Sequence, residues 1–318
     1  MLALLRLLAD GRFHSGEALG RALGVSRSAV WKQLQQLEAE YQIPVYKVRG
    51  KGYQLASPLH LLDEAVLQGA LGEQGVAVEV HTILDSTNAE VLRQVAAHRA
   101  MPLLVLAEAQ SAGRGRRGRQ WVSPFGQNLY FSMGLRIEGG MRRLEALSLV
   151  AGLAVLKLVR EYGIDAGLKW PNDVLCDGKK VAGILLELVG DPADVCHVVL
   201  GIGINVNMCA AEAIDQAWTS LQLASAKSID RNQLVQALCR HLLGYLKLHS
   251  DYGFAGLQAE WESNHLWQGR SVQLASGGLQ VSGVALGVDA QGGLRLEVNG
   301  VEQVFSGGEL SLRLSHDS

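Results

Sequence analysis

The chain has 318 residues, 48% of them hydrophobic and 19% charged, with a formal net charge of −2. Such a composition describes a folded globular chain with room for two or three domains, and it excludes a disordered, collagenous or generally polyanion-coating protein. Charge is unevenly spread: residues 1–60 hold eight Lys/Arg against four Asp/Glu, net +4, and the other 258 hold 21 against 27, net −6, so a small basic unit precedes a mildly acidic body.

In the basic unit, Leu2, Leu4, Leu5, Leu7 and Leu8 predict a short helix ending near Asp10-Gly11. Ser15 caps a second helix over residues 16–23, with Ala18, Leu19, Ala22 and Leu23 expected inward, and Gly24 makes a turn. Ser26 caps a third helix running to about Glu40. There Val30, Leu34 and Leu37 recur at helical spacing, while Arg27, Ser28, Trp31, Lys32 and Gln35 take the other faces. Two β-branched and aromatic strands within residues 45–55 flank a Gly50-Lys51-Gly52 tip. This order reads as a winged helix-turn-helix, with the helix-turn-helix at about residues 16–35; a three-helix dimerisation unit is the competing reading. The cations Arg27, Lys32, Arg49 and Lys51, with Ser26 and Ser28, favour DNA phosphates plus a few base edges and are the candidate DNA contacts. Ala56-Ser57-Pro58 reads as a linker.

Helices and strands then mix. Residues 63–71 predict a helix, 76–84 an alternating strand, and Asp85-Ser86-Thr87-Asn88 the cap of a helix through Val95. Ser86, Thr87 and Asn88 either satisfy helix N–H groups or turn a helix start toward a ligand's polar group. An apolar strand over 103–109 ends in Gln110. The run Gly113-Arg114-Gly115-Arg116-Arg117-Gly118-Arg119-Gln120-Trp121 follows at once. Three glycines among four arginines can gather guanidinium and backbone N–H groups around one anion. A solvated basic tail is the alternative, but a second strand over 128–133 places the run between two strands of one sheet. A loop of this kind is expected to order over an anion.

Residues 142–162 read as an amphipathic helix, and residues 146–156 are too few to span a bilayer. In Lys169-Trp170-Pro171-Asn172-Asp173 a strand breaks at Trp-Pro and a second begins, setting a cation beside a carboxylate able to hold Mg²⁺. Lys179-Lys180 leads into a strand over 181–188. A further strand over 195–204 ends in Gly201-Ile202-Gly203-Ile204-Asn205-Val206-Asn207. That run lacks the third glycine and acidic partner of a dinucleotide fingerprint, and its glycines signal close packing against the backbone. Residues 269–314 alternate as short strands split by Gly-Gly pairs, the pattern of a small β-barrel. The four cysteines, Cys176, Cys196, Cys209 and Cys239, form no CxxC pair. No zinc site or disulfide scaffold is indicated, and a reducing cytoplasm with no membrane partner is expected.

GRGRRGRQW at 113–121, KWPNDV at 169–174, KVAGIL at 180–185 and GIGINVN at 201–207 occur in the order found in biotin protein ligases. With the winged helix in front and the β-rich end behind, nearly the whole chain resembles the bifunctional biotin protein ligases that also repress the biotin operon. The resemblance implies an α+β chain of three parts. These are a winged helix-turn-helix at 1–60, a central α/β catalytic domain at 61–267 with the mixed sheet of biotin and lipoate ligases, and an SH3-like β-barrel at 268–318. It implies two steps: biotin and ATP give biotinyl-5′-AMP and pyrophosphate, and a lysine of the biotin carboxyl carrier protein of acetyl-CoA carboxylase then takes the biotinyl group.

Carried over by position, Ser86, Thr87, Asn88, Gln110, Arg114, Gly115, Arg116 and Lys180 would bind biotin. Arg114, Arg116, Trp121, Asn205 and Trp218 would hold the adenylate, with residues 209–218 as a mobile adenosine loop. Lys169 and Arg116 would stabilise the transition state, and Asp173 would bind Mg²⁺ or orient the attacking lysine. The resemblance also implies operator DNA as a partner and a homodimer promoted by biotinyl-5′-AMP. A ligand-sensing repressor without catalysis and a lipoate ligase are the alternatives. The intact Lys169 and Arg116 count against the first, and the GRGRRG loop joined to a winged helix against the second.

Overall fold

The structure is a computed structural model that describes residues 1–138, 140, 143–191, 195–276, 279–306 and 310–315. Its N-terminal helices form where apolar spacing and caps place them: α1 (Leu2–Leu8), α2 (Gly16–Leu23) and α3 (Arg27–Tyr41). Ser15 Oγ accepts from Ala18 N at 3.0 Å and Ser26 Oγ from Ala29 N at 3.2 Å, so both expected caps are made. The buried face of α2 is Gly16, Leu19 and Gly20; Ala18 and Ala22, expected inward, are exposed. A Cβ at Gly20 would lie 2.7 Å from Val25 O, so the glycine face, not the alanine face, lets α2 close on the turn before α3. The wing is an antiparallel pair, β1 (Val45–Val48) and β2 (Gly52–Leu55).

The core of this unit does not stop at its own residues. Beside Leu4, Leu5, Leu8, Leu19, Val30, Leu34 and Leu37 it includes Phe125 of the body. The Phe125 ring stacks on Tyr41, at the end of α3, with centroids 4.6 Å apart and planes 10° from parallel. The chain after the linker is pinned by a buried ion pair. Arg231 donates to Glu108 Oε2 and, at 2.8 Å, to His60 O, while Glu108 Oε1 accepts from Leu62 N at 2.6 Å. Desolvating two charges is repaid only when hydrogen bonds surround them, and here the backbone of His60, Leu62 and Asn128 supplies them.

The body continues with α4 (Glu64–Leu71), β3 (Ala77–Leu84), α5 (Thr87–Ala96), β4 (Leu103–Gln110), β5 (Leu129–Glu138) and α6 (Leu147–Glu161). β6 (Gly167–Lys169), β7 (Asp173–Cys176), β8 (Lys179–Gly190) and β9 (Val195–Ile204) follow. They form a seven-stranded sheet in the order β3-β4-β5-β9-β8-β7-β6. β3 and β4 run parallel around α5 and the other neighbours run antiparallel, which is the expected mixed sheet.

The α6 helix differs from expectation. Its buried residues include Leu149, Val150, Ala151, Leu153, Ala154, Val155, Leu156 and Leu158, so it is apolar nearly all round, as a helix enclosed on both sides must be. Its expected start, Arg142, lies outside the described residues. α7 (Leu221–Ser225), α8 (Arg231–Tyr252) and α9 (Gln258–Ser263) come next. α8 packs along α6 and was not read from the sequence, although Leu234, Leu238, Leu242 and Tyr245 recur at helical spacing on its buried side and Asp230 caps it.

At the C-terminal end, β10 (Ser271–Ser276), β11 (Leu279–Val288), β12 (Leu294–Val298), β13 (Val301–Phe305) and β14 (Ser311–Leu314) make one antiparallel sheet, ordered β13-β12-β11-β10-β14. The Gly-Gly pairs at 277–278 and 307–308 lie outside the described residues. Val272, Leu274, Leu296 and Leu312 join the apolar cluster that runs through α6 and the central sheet. Among the described residues no helix is long and apolar enough to cross a membrane.

Candidate functional site

The Gly/Arg run joins β4 to β5, as its flanking strands required. It folds back on itself: Gly115 N donates to Arg119 O at 2.7 Å, Trp121 N to Gly113 O at 2.9 Å, and Arg114 pairs with Gln120. Two of its glycines therefore have a local cause. A Cβ on Gly113 would meet Trp121 O at 2.5 Å, and Gly118 holds a left-handed φ of 69°. The N–H groups of Gly115 and Trp121 are therefore spent on closing the loop.

Beneath the loop lies a small cleft lined by Ser86, Thr87, Asn88, Gln110, Arg114, Gly115, Arg116, Trp121 and Lys180. All eight residues expected to bind biotin are thus brought together. Ser86 caps α5, and a buried network sets the side chains behind it. Thr87 N donates to Gln110 Oε1 at 2.9 Å, Gln110 Nε2 to Ser123 Oγ at 3.1 Å, and the Ser132 hydroxyl lies 2.7 Å from Thr87 Oγ1. Asn88 Nδ2 donates to Glu187 Oε2 at 2.7 Å, and Arg114 pairs with the same oxygen at 3.0 Å. The strand glycines are the floor. A Cβ on Gly201 would collide with the Asn88 amide, and one on Gly203 would meet the Trp121 indole at 2.5 Å, which is the close packing their positions implied.

A larger cleft of 350 Å³ adjoins the first and shares Gly115, Arg116, Trp121, Asn172 and Lys180 with it. Lys169, Asp173, Asn205 and Trp218 also line it. Asp173 Oδ1 lies 2.7 Å from Lys180 Nζ and Oδ2 lies 3.8 Å from Lys169 Nζ. Asp173 Oδ1 is buried and accepts no aligned hydrogen bond. Burial pushes the Lys169 ammonium below its ordinary range; Asp173 opposes that shift, and Lys180, Arg119 and Arg313 reinforce it. Burial also lowers Arg116, whose Nη1 donates to Asn172 Oδ1 at 3.1 Å. Asn172 is itself held by two hydrogen bonds with the Ile184 backbone, each 2.9 Å. Asn205 Nδ2 donates to Thr219 O at 3.0 Å, tying the segment that carries Trp218 to the sheet. Arg114 belongs to the small cleft alone. The large one takes instead Arg117 and Arg119, both of the Gly/Arg run, and from the C-terminal sheet Ser311 and Leu312, which the sequence did not single out. Glu187 and Ser132 were also missed, though a carboxylate inside an otherwise apolar strand was a visible signal for the first.

The second candidate surface is at the N-terminus. Ser26, Arg27, Ser28 and Lys32 are exposed at the start of α3, and Arg49 and Lys51 are exposed at the wing tip. Ser26 and Ser28 share a hydrogen bond of 2.9 Å, and Lys51 Nζ stands 5.7 Å over the Phe13 ring.

The profile of the biotin/lipoate A/B protein ligase family matches residues 81–205, an HTH domain profile matches 1–54, and that of the biotin protein ligase C terminal domain matches 269–313. The chain is 42% identical over 315 residues to the bifunctional ligase/repressor BirA of Escherichia coli, spanning 98% of this chain and 97% of that one. It is 36% identical over 310 residues to the protein of the same name in Bacillus subtilis, with 94% of each chain covered. Among solved structures, the biotin protein ligase of Aquifex aeolicus in complex with biotin and ATP superposes with a TM-score of 0.66 at 32% identity. That match covers 75% of this chain and 99% of the other.

Proposed function

The chain belongs to the biotin protein ligase family, in its bifunctional ligase/repressor form, and from that premise we propose how its residues work. It is an ATP-dependent biotin–protein ligase with a DNA-binding helix-turn-helix domain. The observation that carries the reading is the meeting of the two clefts at Arg116, Asn172 and Lys180. Biotin occupies the small cleft, its polar ring against Ser86, Thr87, Asn88 and Gln110, and points its carboxylate at that junction. ATP occupies the large cleft, with its base near Asn205 and Trp218.

A carboxylate oxygen attacks the α-phosphorus, the bond to the β-phosphate oxygen breaks, and pyrophosphate leaves with the electron pair. Negative charge grows on the phosphoryl oxygens, where Lys169, Lys180 and Arg116 stand pre-placed in a partly dry site. In the second step the uncharged amine of the carrier lysine attacks the acyl carbon, an amide forms, AMP leaves and one proton is released. Asp173 orients that amine. Mg²⁺ fits the donor set in one way. No cluster of three ligating side chains exists among the described residues, so the ion would arrive on ATP phosphates and need only Asp173 from the protein, where it would neutralise phosphate charge.

Because the Trp121 indole lies on the floor of the small cleft, ligand entry rearranges the loop. We place the coupling to repression there: biotinyl-5′-AMP orders the loops and promotes a homodimer that binds a two-fold operator. Past Ile184, β8 is paired on its β9 side only among the described residues, and Leu188 and Val189 there are 44% and 42% exposed, an edge suited to such a dimer. The four free cysteines fit a reducing cytoplasm.

The ligase reading is tested with biotin, ATP, Mg²⁺ and carrier protein; lipoate in place of biotin should give no product, and equal use of the two acids would overturn the substrate assignment. DNA binding measured with and without biotin plus ATP tests the coupling. Equal affinity in the two conditions would end it.

A further inference from the structure

Lys169 Nζ lies 5.1 Å from the centre of the Trp267 ring. We propose that Trp267 is a positioning residue for the ligase reaction, whose ring face holds the Lys169 ammonium at the place where charge develops on the phosphoryl group. The proposal rests on the role of Lys169 given above.

Asp173 alone does not hold this ammonium. Its Oδ2 is 3.8 Å away, beyond hydrogen-bond range, and its Oδ1 is engaged by Lys180 at 2.7 Å. A lysine has a long flexible stem and gives a defined position only when something restricts it. An aromatic face does so by attracting the cation without accepting its hydrogens. The N–H donors and the full charge then stay available to an anion, whereas a second carboxylate would neutralise them. The same pairing recurs across the cleft, where Lys180 Nζ stands 5.4 Å over the Trp121 ring.

The ring is fixed to the strand that carries the lysine. Leu168 N donates to Asn264 O at 2.8 Å and Leu266 N to Leu168 O at 3.0 Å, so residues 264–267 run along β6 as one hydrogen-bonded unit with it. A Cβ on Gly167 would fall 2.5 Å from Leu266 Cδ2, so the glycine admits this segment. Upstream, Trp261 is 1% exposed and packs against His265 with ring centroids 4.9 Å apart. β10 begins at Ser271, so the chain that enters the C-terminal sheet also supplies the ring.

The test is single-turnover pyrophosphate release in Trp267→Leu, Trp267→Phe, Lys169→Met and the Lys169→Met/Trp267→Leu double variant, with biotin affinity measured alongside. Leucine keeps apolar volume and removes the ring; it should slow adenylate formation about tenfold, with biotin affinity changed less than about twofold. Phenylalanine should stay within about threefold of the parent. In the Lys169→Met background the leucine change should cost nothing further, as a shared pathway requires. Equal losses for Leu and Phe, a parental rate for Leu, or an undiminished loss in the Lys169→Met background would each overturn the proposal. Should Trp267→Leu not fold, the same cycle is run with Trp267→Phe, whose small loss must vanish in the Lys169→Met background. A parental rate in Lys169→Met itself would remove the role of Lys169 first, and the proposal with it.

Discussion

The two basic clusters of this chain resemble each other in composition and differ in what their charges face. At the start of α3 and the wing tip, Arg27, Lys32, Arg49 and Lys51 are exposed, and among the described residues none of them joins an ion pair. In the large cleft, Lys169 and Lys180 keep only 22% and 15% of their side-chain surface, share one carboxylate, and lie over tryptophan rings. Arg116 is desolvated there and hydrogen-bonded to an amide that is itself braced. Solvated cations bind a polyanion by releasing its counterions, so their effect is shared among many contacts and fades with salt. Desolvated, pre-placed cations act on one anion at short range and are screened far less. Position, not arginine content, separates the two clusters.

The sharpest way to break this contrast is Lys169→Met. Removing one pre-placed cation should slow adenylate formation about a hundredfold or more, with an unchanged fold by circular dichroism and unchanged DNA affinity of the unliganded protein. Arg116→Gly comes next. The loop would lose a charge-assisted grip, and preformed biotinyl-5′-AMP should escape about tenfold faster in a chase experiment. Released anhydride would then acylate bystander lysines, so non-specific biotinylation should rise; unchanged retention would remove the loop from the site. At the other cluster, Lys51→Ala should weaken DNA binding only about threefold and lower the salt slope by about one, with ligase rates unaffected. A large loss from this single exposed lysine would mean that it contacts a base.

Much of this was legible along the chain. Ser15 and Ser26 announced their helices, the Gly24 turn announced the helix-turn-helix, the basic hairpin announced the wing, and the strands on either side of the Gly/Arg run turned a tail into a loop. Part of what stayed illegible depends on distance in sequence. Glu108 and Arg231 are 123 residues apart, and nothing local marks either as half of a buried pair. Ala18 and Ala22 looked like a helix core because alanine is apolar, but the neighbouring backbone had room only for glycine. The glycines of the Gly/Arg run looked like anion ligands, and two of them answer to the loop's own closure and turn. α8 was missed despite a regular apolar spacing, since no motif drew attention to it. Trp267 became visible only when residues 264–267 were seen to pair with β6.

One salt titration reads both clusters at once. Operator-DNA affinity and the rate of carrier-protein biotinylation are followed on the same preparation, at saturating biotin and ATP, between about 50 and 200 mM monovalent salt. A dimer that neutralises six to ten phosphates should lose DNA affinity by roughly 10³- to 10⁵-fold over that range, while biotinylation should change less than about threefold because its cations are desolvated. Parallel losses in the two activities would contradict the account, for they would mean that the arginine loop and the winged helix handle phosphate in the same way.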